Sequence, residues 1–261
     1  MLYAYRCLLF WCLLSILCAY KPVHASAFSV NRKEGGPAVV VRGHALYDPW
    51  ETYNVNNYIK SSKASAAFIN HVALFYSQKL PPPIPLMVNN FFENINDVGT
   101  AINELLQGKF KAFFSDFVRV TLNTVFGVLG MGNAAGVLGW SKNYQDFGLT
   151  LAHWGFPPGP YLFLPIIGPA TVRSGLGILV DKIWDPISYL PWQVAVYALK
   201  GVNNLSNLLS AGGSDLFSTA DKYVFVRSVY WQHTVYLIYA GDYSANAFSQ
   251  EDLDEIIKNP L

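Results

Sequence analysis

The sequence predicts an all-α protein with a large apolar surface, interrupted by an irregular segment rich in proline and glycine. Three observations lead to this: few charges, one long uncharged stretch, and apolar residues at helical spacing. Of the 261 residues, 52% are hydrophobic and 13% are charged. A soluble domain carries roughly 25% charged residues. The apolar surface is therefore the property that a functional interpretation has to explain.

The uncharged stretch spans residues 147–172, which contain no Asp, Glu, Lys or Arg. Its length would cross a bilayer, but five prolines prevent a single helix because they remove backbone donors. An irregular backbone cannot face lipid, since its N–H and C=O groups would go unpaired. Two alternatives stay open: a buried loop of an ordinary core, or a rigid apolar structure in or against a membrane. The prolines are Pro157, Pro158, Pro160, Pro165 and Pro169.

Residues 1–25 are typical of an export signal. Arg6 is the only charge before an apolar run, and Val23-His24-Ala25 offers a cleavage site before Ser26. Lipidation on Cys18 is an alternative, although Leu17 is a poor residue for that signal; an uncleaved anchor is a third. If residues 1–25 are removed, the chain has no cysteine, so disulfides and thiolate chemistry are not expected.

Composition also excludes some partners and cofactors. The formal net charge is +1 and no basic cluster is present, so nucleic acid is not an expected partner. The histidines are far apart, which predicts no metal site, and no other cofactor is expected.

Helical signals follow in order after a flexible lead-in at residues 26–46. Asp48-Pro49-Trp50-Glu51 is typical of a helix start. Residues 81–85 predict a stiff extended connector. Further helices are predicted over 191–209 and 221–239, and residues 242–261 form an acidic tail.

Residues 86–118 carry the clearest amphipathic pattern and predict two helices joined at Gly108. The apolar stripe of the first helix is expected to pack into the core. The second helix carries phenylalanines on one face with lysines beside them, which also suits a membrane interface. Asp116 and Arg119 are three residues apart and are expected to pair.

Residues 120–141 are again uncharged, and their glycines make a regular helix costly. A flexible apolar loop or a broken helix is favoured over a transmembrane helix. Glycine permits alternative backbone states, so this run is the candidate gate loop. The candidate gate glycines are Gly127, Gly130, Gly132 and Gly136, and Gly139 also lies in the run.

Motifs of known enzyme classes are missing: the sequence has no GxSxG, GxxxxGK[ST], GxGxxG or HExxH. Asp146 and His153 flank the apolar stretch, but no nucleophile accompanies them. A membrane-active hydrolase therefore remains only a minor alternative, and the protein is not expected to be an enzyme.

Several ordered blocks resemble the MlaA (VacJ) family of outer-membrane lipoproteins. DPWETYN at 48–54, NNFFEN at 89–94 and NELLQGK at 103–109 are similar to family motifs. The most specific block runs from 146 to 173, and a last block lies between Asp221 and Gln232. The signature residues of the specific block are Asp146, Phe147, Gly148, Trp154, Gly155, Gly159, Pro160, Tyr161, Pro165, Gly168, Pro169 and Arg173.

The resemblance implies a ring-like helical domain over residues 47–241, embedded in the inner leaflet of the outer membrane on its periplasmic side. Such a protein removes mislocalised phospholipid from the outer leaflet through a channel and passes it to a periplasmic carrier protein. Association with a trimeric porin is also implied. Polar groups must line the channel, and Asp116, Arg119 and Asn123 are the candidates. The alternative is a structural, porin-associated protein involved in intercellular spreading without lipid transfer.

Two departures from the family pattern stand out. The lipidation signal is poor, and Ser174 stands where the family often has Asp after Arg173, with Ala170 in place of Ser. A compensating ion pair between Arg173 and Asp181 is therefore expected.

Overall fold

The computed structural model describes residues 48–64, 70–165, 167–210 and 222–239. Residues 47–233 belong to one compact unit, and a second unit combines residues 1–46 with 234–261. The predicted signal, the lipidation site at Cys18, the lead-in and the acidic tail all lie outside the described residues.

The described part of the chain is mostly helical, which confirms the predicted fold class. The one departure is a two-stranded antiparallel hairpin of β1 (Tyr161–Leu164) and β2 (Gly168–Thr171), with Tyr161 opposite Thr171 and Leu164 opposite Gly168. A 3₁₀ helix also runs over Pro186–Tyr189. The α-helices are α1 (Glu51–Ala64), α2 (Asn70–Lys79), α3 (Pro83–Leu106), α4 (Phe110–Val125), α5 (Ala134–Val137), α6 (Phe147–His153), α7 (Val172–Asp181), α8 (Gln193–Ser210) and α9 (Lys222–Tyr239).

The prediction of an extended connector over residues 81–85 is wrong for residues 83–85, because α3 already begins at Pro83. The first turn of a helix has no use for its backbone N–H groups, so Pro83 and Pro85 are tolerated there. The predicted break at Gly108 is confirmed. Gly108 has a φ of +72°, a conformation that glycine adopts without strain, and α4 starts two residues later.

As predicted, the proline- and glycine-rich residues 147–172 do not form a single helix. Asp146 caps α6 by accepting a hydrogen bond from Leu149 N at 2.7 Å. The β1–β2 hairpin follows, and Thr171 and Ser174 form a capping box at the start of α7. Gly148 and Gly177 let α6 and α7 approach closely, since a Cβ on Gly177 would lie 2.4 Å from Gly148 N.

An aromatic cluster joins the start of the domain to its end. Tyr58 of α1, Tyr161 and Phe163 of β1, and Tyr223 of α9 are all buried and pack edge-on. Asn54 reinforces the contact: its amide donates to Tyr161 O at 3.0 Å and accepts from Phe163 N at 2.8 Å. We call this group, with Asn54, the aromatic clasp.

No helix in the described ranges is long and apolar enough to cross a bilayer. Residues 120–141, for which a broken helix or loop was predicted, form the end of α4, a series of turns and the short α5. The turns hold Val128 and Leu129 at φ +54° and +57°, followed by Gly130 at +88°. Positive φ is strained for a β-branched residue such as Val128.

Candidate functional site

Helices α3 and α4 pack against each other through polar side chains. The buried side chains of α3 are Phe92, Asn94, Asp97, Thr100, Ala101, Asn103 and Glu104, and those of α4 are Asp116, Arg119 and Asn123. The prediction that the apolar stripe of α3 enters the core is wrong, because most of that stripe is half-buried or exposed. The two helices are thus inverted relative to a soluble protein, with polar groups inside and apolar groups outside.

A chain of alternating charges runs through this interface. Lys142 Nζ pairs with Glu93 and, at 2.9 Å, with Asp97 Oδ1. Arg119 then lies 3.6 Å from both Asp97 and Asp116, which confirms the predicted Asp116–Arg119 pair. Asp97, Asp116 and Arg119 are almost fully buried, whereas Glu93 is 42% exposed. We call these five residues the ion chain; one of its ends is accessible and the other is not.

A further acid, Glu104, lies beside the buried end of the ion chain. Burial, followed by the nearby Asp116 carboxylate, raises the pKa of Glu104 to about 8. Burial also raises the pKa of Asp116, but hydrogen bonding from Asn143 and the charge of Arg119 favour its ionised form. Glu104 is therefore the acid that keeps its proton at neutral pH, and the ion chain beside it contains two bases and three acids.

The segment after α4 closes over these groups. Arg119 donates to Trp140 O, and Asn123 Oδ1 accepts from Ala135 N at 2.9 Å. Asn143 donates to Asp116 Oδ2 at 3.2 Å. The three residues predicted to line a channel are thus brought together, and each is capped by the segment between α4 and α6.

The candidate gate glycines lie in that same segment, and two of them are needed where they stand. A Cβ on Gly127 would lie 2.2 Å from Gly132 O. At Gly130, which has positive φ, a Cβ would lie 2.5 Å from the Asn94 side chain. An open cavity of about 560 Å³ separates the segment from the start of α3. Its lining consists of Pro83, Leu86, Met87, Asn90, Met131, Gly132, Asn133, Gly136 and Val137.

Outside the polar interior, the same elements present apolar side chains to the surroundings. Phe114 on α4 is 61% exposed, Phe126 is 73% exposed and Val137 on α5 is 89% exposed. Phe110, Phe117, Val125, Val128, Leu129 and Leu138 are also exposed. An exposed apolar area of this extent is typical of a surface that meets a membrane or another protein. We call it the apolar edge.

The residues of the signature block lie beside the ion chain and do not belong to it. Phe147 N donates to Asp181 Oδ2 at 3.0 Å, and Asn103 Nδ2 donates to Asp181 Oδ1 at 3.0 Å, which ties α6 and α7 to α3. Burial raises the pKa of Asp181 to about 6. The expected Arg173–Asp181 ion pair is wrong, since Arg173 donates instead to Phe156 O at 2.8 Å. Ser174 bonds Tyr230 of α9 at 2.8 Å.

Five residues of the site escaped the sequence prediction: Glu93, Asn94, Asp97, Glu104 and Lys142. A signal existed for three of them. Glu93, Asp97, Thr100 and Glu104 follow one another at steps of four, three and four, which places them on one helical face. Lys142 lies in an irregular segment, where no helical periodicity indicates which side chains contact the ion chain.

Together these features define a class of protein: a helical domain with a charged interior, an apolar exterior around α3 to α5, and no spanning helix in the ranges described. Residues 46–236 match the family model described as MlaA lipoprotein. Because this match covers most of the chain, the protein belongs to that family.

Individual relatives agree with this assignment. The chain is 32% identical over 191 residues to an uncharacterised protein of Rickettsia bellii (strain RML369-C), covering 72% of this chain and 75% of the relative. It is 29% identical over 220 residues to the intermembrane phospholipid transport system lipoprotein MlaA of Escherichia coli (strain K12), covering 80% and 87%. It also resembles a chain solved in work on the structural basis for maintenance of bacterial outer membrane lipid asymmetry. That match has a TM-score of 0.64 at 26% identity and covers 73% of this chain and 98% of the other.

Proposed function

We propose that this protein transports phospholipid at the outer membrane, removing mislocalised phospholipid from the outer leaflet and handing it to a periplasmic carrier. The observation that carries the proposal is the inverted pair α3 and α4. A phospholipid has a charged headgroup and apolar chains. A protein that moves it needs polar groups where the headgroup passes and an apolar exterior where acyl chains and bilayer lie.

The apolar edge suits residence in one leaflet, because half a bilayer has roughly 15 Å of hydrocarbon and needs no spanning helix. Val128 and Leu129, at the tip of the apolar edge, have strained positive φ angles. A movement of the neighbouring glycine run would relieve this strain. Movement away from α4 would uncover Arg119 and Asn123, whose caps are Trp140 O and Ala135 N. In this proposal Asp116, Arg119 and Asn123 form the channel wall, and Gly127, Gly130, Gly132 and Gly136 belong to its gate.

Two partners belong to the same proposal. A protein confined to the inner leaflet reaches outer-leaflet lipid only beside a structure that crosses both leaflets, and a trimeric porin supplies one. The periplasmic face then releases lipid to a soluble carrier protein. No bond is made or broken in either step, so the role is not enzymatic.

The test is the phospholipid content of the outer leaflet in a strain without this gene. We expect the content to rise, and the wild-type gene to restore it. Restoration of normal asymmetry by a protein with Asp97, Asp116 and Arg119 all replaced by Ala, if that protein is present at wild-type levels, would refute the polar path. An unchanged outer leaflet in the deletion strain would favour the porin-associated structural role.

The gate is tested separately by a disulfide. Asn90 Nδ2 of α3 donates to Met131 O at 3.0 Å, so cysteines at positions 90 and 131 would join α3 to the glycine run. We expect the oxidised double variant to lose lipid transport and to regain it under reduction, while each single cysteine variant remains active. Full transport by the oxidised form would rule out movement of this segment.

A further inference from the structure

A second polar contact lies between α3 and α8, apart from the buried interface of α3 with α4. Asn89 of α3 accepts from Asn203 at 3.1 Å and from Asn207 at 2.7 Å. Seven residues further along α3, Asn96 Oδ1 accepts from Lys200 Nζ at 2.7 Å. Glu93 lies between Asn89 and Asn96 on the same face of α3. The accessible end of the ion chain and Lys200 therefore border the same contact.

Lys200 is a half-buried cation that bonds to a neutral amide. In the described part of the chain, no carboxylate oxygen lies within 4 Å of its Nζ, and its close polar partner is the neutral Asn96 amide. Burial lowers the pKa of Lys200, while Asp185 and Glu93 raise it from a longer distance. A partly desolvated ammonium is stabilised by an anion that reaches it, so this position favours an anionic ligand group.

Glu93 has the opposite character. It ends the ion chain, in which two bases, Lys142 and Arg119, face the three acids Glu93, Asp97 and Asp116, and it shares Lys142 with Asp97. The two aspartates are buried, so Glu93, which is 42% exposed, is the acid of the ion chain that a ligand can reach. The site thus presents one accessible carboxylate and one ammonium that is bonded to a neutral amide, on adjoining helices.

We propose that Lys200 and Glu93 form a subsite for a zwitterionic phosphodiester, with the phosphate on Lys200 Nζ and the ligand's ammonium on the Glu93 carboxylate. This chemistry is found in the headgroup of phosphatidylethanolamine and in soluble glycerophosphoethanolamine. A headgroup with phosphate alone would satisfy Lys200 but leave Glu93 to share Lys142 with Asp97, so the subsite discriminates between headgroups. The inference rests on the proposed function, since it names the part of the lipid that the transport path recognises.

The experiment is lipid capture by purified full-length protein in detergent from vesicles with equal amounts of phosphatidylethanolamine and phosphatidylglycerol. Bound lipid is extracted and quantified by mass spectrometry. We expect Lys200→Gln to lower total bound phospholipid about tenfold, because a charge-assisted contact is lost. We expect Glu93→Gln to lower the ratio of phosphatidylethanolamine to phosphatidylglycerol about fivefold, through loss of bound phosphatidylethanolamine. Lys63→Gln, which removes an exposed lysine of α1, is the control and should match the wild type.

The outcomes separate this inference from the proposed function. If the wild type captures no phospholipid, the proposed function fails and the subsite fails with it. If the wild type captures lipid and both variants match it in amount and ratio, the subsite alone is refuted. If Lys200→Gln does not fold, Lys200→Arg replaces it, and the subsite then requires retained capture by this variant, because arginine keeps the charge, together with the lowered headgroup ratio in Glu93→Gln.

A competition arm identifies the source of the ligand and uses only the wild-type protein. Glycerophosphoethanolamine should displace bound lipid at a concentration about tenfold below that of glycerophosphoglycerol or inorganic phosphate. Equal displacement by inorganic phosphate would mean a general anion site and would overturn the proposal. Binding of glycerophosphoethanolamine, measured by calorimetry, to a wild-type protein that takes no lipid out of vesicles would overturn the lipid subsite and assign the site to the soluble diester.

Discussion

The aromatic clasp and the α3–α4 pair each join separate elements of the fold. The clasp does so with buried aromatic rings, and the α3–α4 pair does so with buried charges. The clasp buries Tyr58, Phe163 and Tyr223, and its Asn54 bonds backbone groups of β1 and the Asp48 carboxylate. The α3–α4 pair buries charges and leaves Phe110, Phe114 and Phe117 of α4 exposed. The first is the chemistry of a soluble domain. The second is favoured where the surroundings are apolar, because there the hydrophobic effect no longer drives helices together.

The difference between the two regions is explained by their surroundings: water around the aromatic clasp and, in the proposed function, lipid around the α3–α4 pair. A buried charge network is a costly way to hold helices in water, since desolvation offsets much of the attraction. When the outer face of α4 already prefers lipid, polar contacts inside supply the specificity that apolar packing cannot. We therefore expect the two regions to respond differently to substitution, to pH and to lipid.

The largest effect is expected from Arg119→Met. The substitution leaves Asp97 and Asp116 buried without their shared cation, and breaking a buried pair costs about 3–5 kcal/mol. Chemical unfolding in detergent measures the change. Lys111→Met removes an exposed cation from the same helix and should shift the free energy of unfolding by less than about 0.5 kcal/mol. Equal stability of Arg119→Met and the wild type would mean that the ion chain does not hold the two helices together.

A matched pair of phenylalanine substitutions comes next. Phe163→Ala in the clasp should lower the free energy of unfolding by about 3 kcal/mol, because it empties a buried site. Phe114→Ala on the apolar edge should leave that free energy nearly unchanged but weaken vesicle binding about tenfold, since an exposed aromatic ring is lost from that edge. Co-sedimentation with vesicles tests the second effect. The comparison fails if Phe114→Ala destabilises the protein as much as Phe163→Ala.

The contrast also shows what the sequence could predict. Helix positions followed from spacing, and the Asp116–Arg119 pair was predictable because the two residues are three apart on one face of a single helix. The inward direction of that face was not predictable from α3 alone. Its apolar stripe is as regular as its polar stripe, and which one is buried depends on whether water or lipid lies outside.

The remaining misses have local causes. The β1–β2 hairpin lies in a stretch where Pro160, Pro165 and Pro169 weaken every strand signal, and it pairs only four residues on each side. Ser174 at the expected acidic position proved to be part of a helix cap and a contact to Tyr230, so Arg173 bonds a carbonyl and needs no replacement carboxylate. Such substitutions become understandable only when the three-dimensional partners are known.

A pH effect of intermediate size is expected at Glu104. Its pKa is near 4.5 in the unfolded chain and about 8 in the folded protein, so the folded state binds the extra proton between these values. The free energy of unfolding should therefore fall as pH rises through this window, by at most about 1.4 kcal/mol per pH unit from this group.

Glu104→Gln imitates the protonated acid and should remove that contribution, which makes the variant the more stable protein at pH 8. Unfolding curves at pH 5.5, 6.5 and 7.5 measure the difference between the two proteins, so that the contributions of other buried acids cancel. Glu51→Gln, an exposed acid of α1, is the control and should follow the wild type. Parallel pH profiles for wild type and Glu104→Gln would show that Glu104 is ionised in the folded state.

The smallest effect is expected at Asp146, where the signature block adjoins the ion-chain region through α3. Its carboxylate caps α6, and removing such a cap costs about 1 kcal/mol. Asp146→Ala should show that loss in chemical unfolding. Asp146→Asn keeps a cap of equal quality but removes the charge that faces Arg173, so it separates the two roles. If Asn at 146 is as damaging as Ala, the charge matters more than the cap. The signature block would then hold its helices as the α3–α4 pair does, by electrostatics, and the apolar clasp would be the exception in this protein.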